Sequence, residues 1–378
     1  MTEHSLTGIP LKGRIQAFDF LRFLMIFFII LLHAGMSFMK SVPSWWYVIN
    51  DKISPVFTVI VNVLDIFPIP VLFFLSGYFA PSSFLKKRTF GFIKDKFLHI
   101  VIPWILGMLF IKPLFYLFYG KSIKYAICLM FSDPYDYFFS QAHFWYLSVL
   151  SIFLLIYVLY ENIRPLAYNR KADISSRRIT LLIGFIILSA ICFFCTSIDL
   201  PSDRWTNIGY FISFKPSKIA SYIGIFTLGI YAWKHYWFTD KGWIPQYNFW
   251  RFFGITSVTL YMLWKLLVTP NYNFPTLNNL MESVLDSISC FSGTIYILLF
   301  GIKYQSSFIG NISAKMASYS YGIYWVHLPV SLLFLYFIVP LGLPIFIKFI
   351  TSVILTLLFS WLLSRYVLKT APFLKRIF

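Results

Sequence analysis

The stretch Phe18–Phe38, FDFLRFLMIFFIILLHAGMSF, is apolar and long enough to cross a bilayer, yet it carries Asp19, Arg22 and His33. An ionisable group in lipid costs a few kcal/mol or more, so such residues mark a candidate site. From Arg22 to His33 is 11 positions. At about 100° per residue, a helix brings both to within about 20° of one face, about 16 Å apart along its axis. One face therefore offers a fixed cation near one end and a possible proton acceptor near the other. Asp19 is spaced to pair with Arg22 three residues on. The alternative for Arg22 is a cation that snorkels to the membrane interface.

Other residues add to this face. Asp65 lies in SPVFTVIVNVLDIFPIPVLFFLSGYFA, close to Pro68 and Pro70. Prolines break membrane helices where the backbone meets protein or a cavity. Asp65 is either functional or the partner of an intramembrane lysine such as Lys112 or Lys265. The segment 82–104, SSFLKKRTFGFIKDKFLHIVIPW, places Lys94, Lys96 and His99 just before Pro103. A basic segment at a helix start suits phosphate binding, and ordinary anchoring of a cytoplasmic link explains it equally. His143, Trp145 and Tyr146 fall at an expected outer interface, where aromatic rings collect for physical reasons alone. His327 follows Tyr324 by three residues and Ser320 by seven, which puts them on one side of a helix. Such a histidine is either catalytic or a hydrogen-bonding strut between helices.

The elements that must position these groups are set by composition. The chain has 378 residues, 59% of them hydrophobic and 12% charged, with mean hydropathy +0.74. A soluble domain of that size needs far more polar surface, so the expectation is an all-α polytopic membrane bundle. Hydropathy divides the chain into about ten spans: 17–39, 54–80, 100–120, 143–160, 179–198, 218–238, 250–268, 286–304, 319–340 and 344–366. They form a single domain over residues 1–378, without internal repeat. The 44 Phe, 25 Tyr and 12 Trp exceed core needs, and part of them suits interfacial belts.

The net charge of +18 comes from cations in the short links. About 21 Lys and Arg fall on one side, against about 7 on the other. The richer side includes Lys12 and Arg14, the 81–99 link, Arg170 and Lys171, Lys241 and the C-terminal tail. The distribution predicts both termini in the cytoplasm, with Arg22 inward and His33 outward. It points to topology rather than to nucleic acid. The N-terminal segment lacks the apolar core of a cleaved signal, so the first span is expected to be retained. Cys192 and Cys195 have no second pair for zinc, and the four cysteines read as packing residues. No metal-ligand cluster or glycine-rich nucleotide loop is evident.

Together the motifs resemble the integral-membrane acyltransferases of the acyltransferase-three type. The resemblance rests on Asp19-Phe-Leu-Arg22 with ten residues before His33, and on FFLSGYFA at 73–80. It continues through the basic FIKDKFLHIVIP segment, HFWYLSVL at 143–150, FTLGIYAWK at 226–234 and SYGIYWVH at 320–327. It covers essentially the whole chain in order. LLHAGMSF and the spacing to the basic segment look like the branch that modifies osmoregulated periplasmic glucans, which is linked to succinylation.

The resemblance implies transfer of an acyl group, acetyl or succinyl, from cytoplasmic acyl-CoA to a hydroxyl of an extracytoplasmic glycan or its lipid-linked precursor. It implies residence in the inner (cytoplasmic) membrane and no metal. Arg22 and His33 correspond to the family's essential pair. Lys96 and His99 stand where the family has Arg-x-x-Arg, a departure that loses the bidentate guanidinium fork; Arg88 is placed to compensate. With Ser76 of the SGY element, these residues form the expected donor side. His33 is the expected base, with Asp65 or His327 as partner. A transporter that moves glycan or lipid-linked sugar without acyl transfer, and a family member serving as sensor or scaffold, are the alternatives.

Overall fold

The computed structural model describes residues 16–43, 45–46, 48–134, 137, 141–165, 175–239, 242–269 and 275–378. Lys12, Arg14, Arg170, Lys171 and Lys241, counted above for topology, lie outside the described residues. The protein is an all-α membrane bundle. Among the described residues, eight helical runs are long and apolar enough to cross a membrane.

The expected stretches are all helical, but two of them are joined. The run Pro55–Phe118 contains the spans expected at 54–80 and 100–120. Within it lie α1's neighbours α2 (Pro55–Leu64) and α3 (Pro68–Lys96), α1 itself being Gln16–Met36. The link at 81–99 stays helical because Lys and Arg are strong helix formers; it bends at Arg88, whose φ is 57°. Beyond α3 the chain continues through α4 (Ile102–Leu106) and α5 (Lys112–Phe118), with wide π turns at Phe97–Val101 and Gly107–Ile111. Proline at the first turn starts α2 and α3, where a missing N–H costs nothing, whereas Pro103 and Pro113 come just after the π turns inside a continuing helix.

The short α6 (Ile123–Ser132), capped by Ser122, precedes α7 (Trp145–Ile163) and α8 (Ser175–Asp199). A two-stranded antiparallel hairpin, β1 (Thr206–Ile208) and β2 (Ile212–Phe214), leads into α9 (Pro216–Lys234). The last helices are α10 (Tyr247–Leu263), α11 (Pro275–Tyr304), α12 (Phe308–Met316), α13 (Ser320–Ile338) and α14 (Ile345–Leu363). α9 corresponds to the span expected at 218–238; its serines and lysines make it less apolar than the eight. Lys218 there is buried in an ion pair with Asp286 of α11.

α1 is the axis of the bundle. It packs against α2, α3, α11, α12, α13 and α14, and most of its side chains are buried. α8 and α14 are peripheral, and their Ile183, Ile187, Ile191, Phe346, Ile350 and Ile354 face outward as lipid-facing surface. α3 and α9 approach each other closely. A Cβ on Gly77 would lie 2.1 Å from the Phe226 carbonyl oxygen, and one on Gly229 would lie 2.3 Å from that of Phe74. Glycine at both crossings lets the backbones touch, the packing that lipid-embedded helices use in place of a hydrophobic driving force.

Candidate active site

α1 contributes Arg22 near its beginning and His33 near its end. His33 is 9% exposed, and its Nδ1 lies 3.1 Å from Nε2 of His327 on α13. His327 is wholly buried, and its Nδ1 lies 2.6 Å from the backbone carbonyl of Tyr324. A carbonyl only accepts, so Nδ1 of His327 carries the proton and, in the neutral ring, Nε2 accepts. His33 Nδ1 then donates to it, which leaves the lone pair of His33 on Nε2. The usual carboxylate–histidine arrangement is here replaced by histidine and backbone carbonyl, with the same effect: the tautomer and plane of the basic imidazole are fixed.

Two residues complete this end. The indole of Trp46 stacks on His33 with ring centroids 5.9 Å apart and planes 3° apart, and its Nε1 donates to Ser37 Oγ at 3.0 Å. An aromatic face favours the imidazolium over the neutral ring. His143 is buried beside His327, with centroids 4.8 Å apart. Its Nε2 donates to the Trp325 carbonyl at 3.2 Å, and its Nδ1 is buried without a hydrogen-bond partner among the described residues. The sequence reading placed His143 and Tyr146 in an interfacial belt and did not single out Trp46. The adjacent tryptophans at 45–46 were the available signal.

At the other end a cavity of about 400 Å³ opens between α1, α3, α7 and α13. Arg22, Ser76, Lys96, Tyr146, Ser320 and Tyr324 are among its lining residues. Arg22 donates to Asp19 at 3.0 Å and lies 4.6 Å from the centre of the Phe79 ring. Ser76 Oγ donates to the Leu72 carbonyl at 2.8 Å and lies 3.2 Å from the Tyr146 hydroxyl. Tyr324 belongs to both regions. Its ring borders the cavity and lies 5.9 Å from that of His327, and its hydroxyl donates to the His143 carbonyl.

Three expected residues are placed differently. Asp65 caps the end of α2, half exposed, and its ion pair is with Lys215 at 3.9 Å rather than with Lys112 or Lys265. Lys112 is buried against the Tyr137 ring, 4.1 Å from its centre, and Lys265 donates to the Tyr261 hydroxyl at 3.4 Å. His327 holds the Nδ1 of His33; Asp65 makes no hydrogen bond to His33 among the described residues, but its carboxylate lies within electrostatic reach of the ring. His99 does not line the cavity; its Nδ1 bonds the Asp95 carbonyl at 2.8 Å, and its own carbonyl accepts from Tyr321 at 2.6 Å. Arg88 sits at the bend of α3 and is not among the lining residues.

Chemically, this arrangement combines a cation-edged cavity with an oriented, unprotonated imidazole nitrogen deeper in the bundle. That suits proton removal from a hydroxyl next to a bound anionic donor. The family model described as Acyltransferase domain matches residues 15–365. Comparison with curated proteins and with solved structures returns no match. The matched region spans both the histidine pair and the cavity, and the chain belongs to this acyltransferase family as a multi-pass membrane protein.

Proposed function

We propose that the protein transfers an acyl group, acetyl or succinyl, from cytoplasmic acyl-CoA to a hydroxyl of an extracytoplasmic glycan or lipid-linked glycan. The observation that carries this reading is the placement on α1: Arg22 lines the cavity, while His33 is held by His327 with Nε2 left basic. In this orientation the Arg22 end faces the cytoplasm, as the excess of Lys and Arg in the links on that side favours. The phosphates of the donor bind near Arg22 and Lys96. Its pantetheine arm extends past Ser76 and Tyr324, covering the roughly 16 Å that an ideal helix puts between Arg22 and His33.

His33 Nε2 removes the hydroxyl proton as that oxygen attacks the thioester carbonyl carbon. The tetrahedral intermediate collapses with cleavage of the C–S bond, and the leaving thiolate takes the proton from the imidazolium. The products are an ester and free CoA thiol. While His33 is charged, His327 accepts its Nδ1 hydrogen bond, and the Trp46 ring lies against its face; both favour the cation that forms in the transition state. The finer assignment, within the same reading, is to the branch that modifies osmoregulated periplasmic glucans in the inner membrane.

The test is labelled acyl-CoA supplied to purified protein with glycan acceptor. Ester formation accompanied by thiol release supports the assignment. Movement of glycan without thiol release identifies a transporter instead. Mass spectra of surface glycans from a deletion strain then name the acyl group by the increment that disappears.

A further inference from the structure

The cavity's two cations are already held by the chain's own carboxylates. Arg22 is paired with Asp19 at 3.0 Å, and Lys96 with Asp95 at 3.2 Å. Asp95 has a wider reach. Its carboxylate also takes Lys87 at 2.5 Å and lies 3.3 Å from Nδ1 of His99. One carboxylate, 18% exposed, therefore sits among three basic side chains gathered from both sides of the bend at Arg88, of which Lys96 lines the cavity and Lys87 and His99 lie outside it.

This is the environment in which a phosphate ester binds: several N–H donors and more than one positive charge converging on one oxyanion. A carboxylate brings two acceptor oxygens and one charge, and a terminal phosphate brings three oxygens and up to two charges. The phosphate is therefore the better anion for the same cations. The tethered carboxylate has the advantage of high local concentration, so the two compete.

We propose that Asp95 is an internal anion that holds Lys96 of the cavity lining together with the neighbouring Lys87, and is displaced from both when a phosphate-bearing ligand enters the cavity. The inference rests on reading the cavity as a donor site. Asp95 is a positioning residue, acting through Lys87 and Lys96 rather than touching the reacting atoms. With no ligand it keeps these cations gathered and offsets part of their charge, and it weakens binding by the interaction the ligand must replace. The same competition hastens departure of the spent donor.

The experiment is equilibrium binding to the purified full-length protein in detergent, with two probes, coenzyme A and inorganic pyrophosphate, at low and high salt. Asp95→Asn keeps the side chain's size and removes its charge. The expected result is roughly tenfold tighter binding of coenzyme A, with a steeper fall in affinity as salt rises, because Lys87 and Lys96 are left without their internal counter-charge and salt screens their attraction to the ligand. Adding Lys96→Gln to Asp95→Asn should abolish most of the gain, which a merely structural effect of Asp95 would not do. If Asp95→Asn does not yield folded protein, Asp95→Ser removes the same charge and is measured in its place. Unchanged or weaker binding of both probes, or a full gain that survives Lys96→Gln, overturns the proposal. A gain for pyrophosphate in a protein that binds no coenzyme A would sustain the role of Asp95 and contradict the donor reading. Tight coenzyme A binding by the unsubstituted protein with no gain in Asp95→Asn would do the reverse.

Discussion

At the scale of single residues, the hydrogen bonds divide the labour between two histidines that no local pattern links. His33 has its lone pair on Nε2, where the proposed reaction uses it, because its Nδ1–H donates to His327, and His327 can accept because the Tyr324 carbonyl fixes its tautomer. His327→Gln should therefore lower kcat by about 10- to 100-fold through loss of the oriented base, while KM for the donor changes little. Steady-state kinetics with the donor varied would separate this from a folding defect. Arg22→Ala should act in the opposite way, raising the donor KM about tenfold or more and changing kcat less, since a hydrogen-bonded charge contact at an anion is worth about 1.5–3 kcal/mol. The spacing of Arg22 and His33 was legible because it depends only on helical periodicity. The pairing of His33 with His327 was not, because 294 residues separate them and only tertiary packing decides which helix lies beside α1. For the same reason depth alone could not place Asp65, which caps α2 beside Lys215 and acts on His33 through its charge rather than through a hydrogen bond.

At the scale of elements, the bundle depends on how closely α3 and α9 approach. Gly229 faces a carbonyl where a Cβ would come within 2.3 Å of the Phe74 oxygen, so Gly229→Ala must push two helices apart. The expected loss is roughly 1–3 kcal/mol, seen as a lower melting temperature in detergent. Gly184, on the peripheral α8, has nothing within 4 Å of the added carbon. There the same substitution should be neutral or stabilise by up to about 1 kcal/mol through helix propensity. Because α3 carries Ser76 and Lys96 into the cavity, Gly229→Ala should also weaken donor binding. Helices were readable from hydropathy; Pro68, which in the sequence marks a break in the second span, stands at the first turn of α3. The 81–99 link was not readable as helix, since its lysines mark a membrane boundary equally well whether the chain coils or turns there. α9 is a further case: its Lys218 looks like an end-of-span cation but is buried against Asp286.

At the scale of the whole molecule, α1 joins the cavity and the histidine pair, the two regions the proposed transfer would use, and every helix that lines them packs around it directly or through α3 and α13. The orientation makes a separate prediction. A reporter fused after Phe378 should be active only as a cytoplasmic reporter, and a tag placed in the 201–214 segment should be reached from the opposite side. Labelling of intact cells checks both. Composition pointed to the membrane class, because 59% hydrophobic residues leave too little polar surface for a soluble domain of this size, and hydropathy pointed to its helices. The motif pattern carried the family. The histidine pair, the Trp46 stack and the carboxylates that hold Arg22 and Lys96 emerged only in three dimensions.

The most direct test of the central claim compares the protein with His33→Ala as purified, folded samples that bind coenzyme A equally well. Both receive labelled acetyl- or succinyl-CoA and a glycan acceptor, and ester formation and thiol release are followed together. A general base positioned in this way accounts for about 10²–10⁴-fold in rate, so ester formation by His33→Ala should fall by at least about 100-fold. Transfer by His33→Ala at the rate of the unsubstituted protein would contradict the account, because the proton would then have to leave by a route that α1 does not provide.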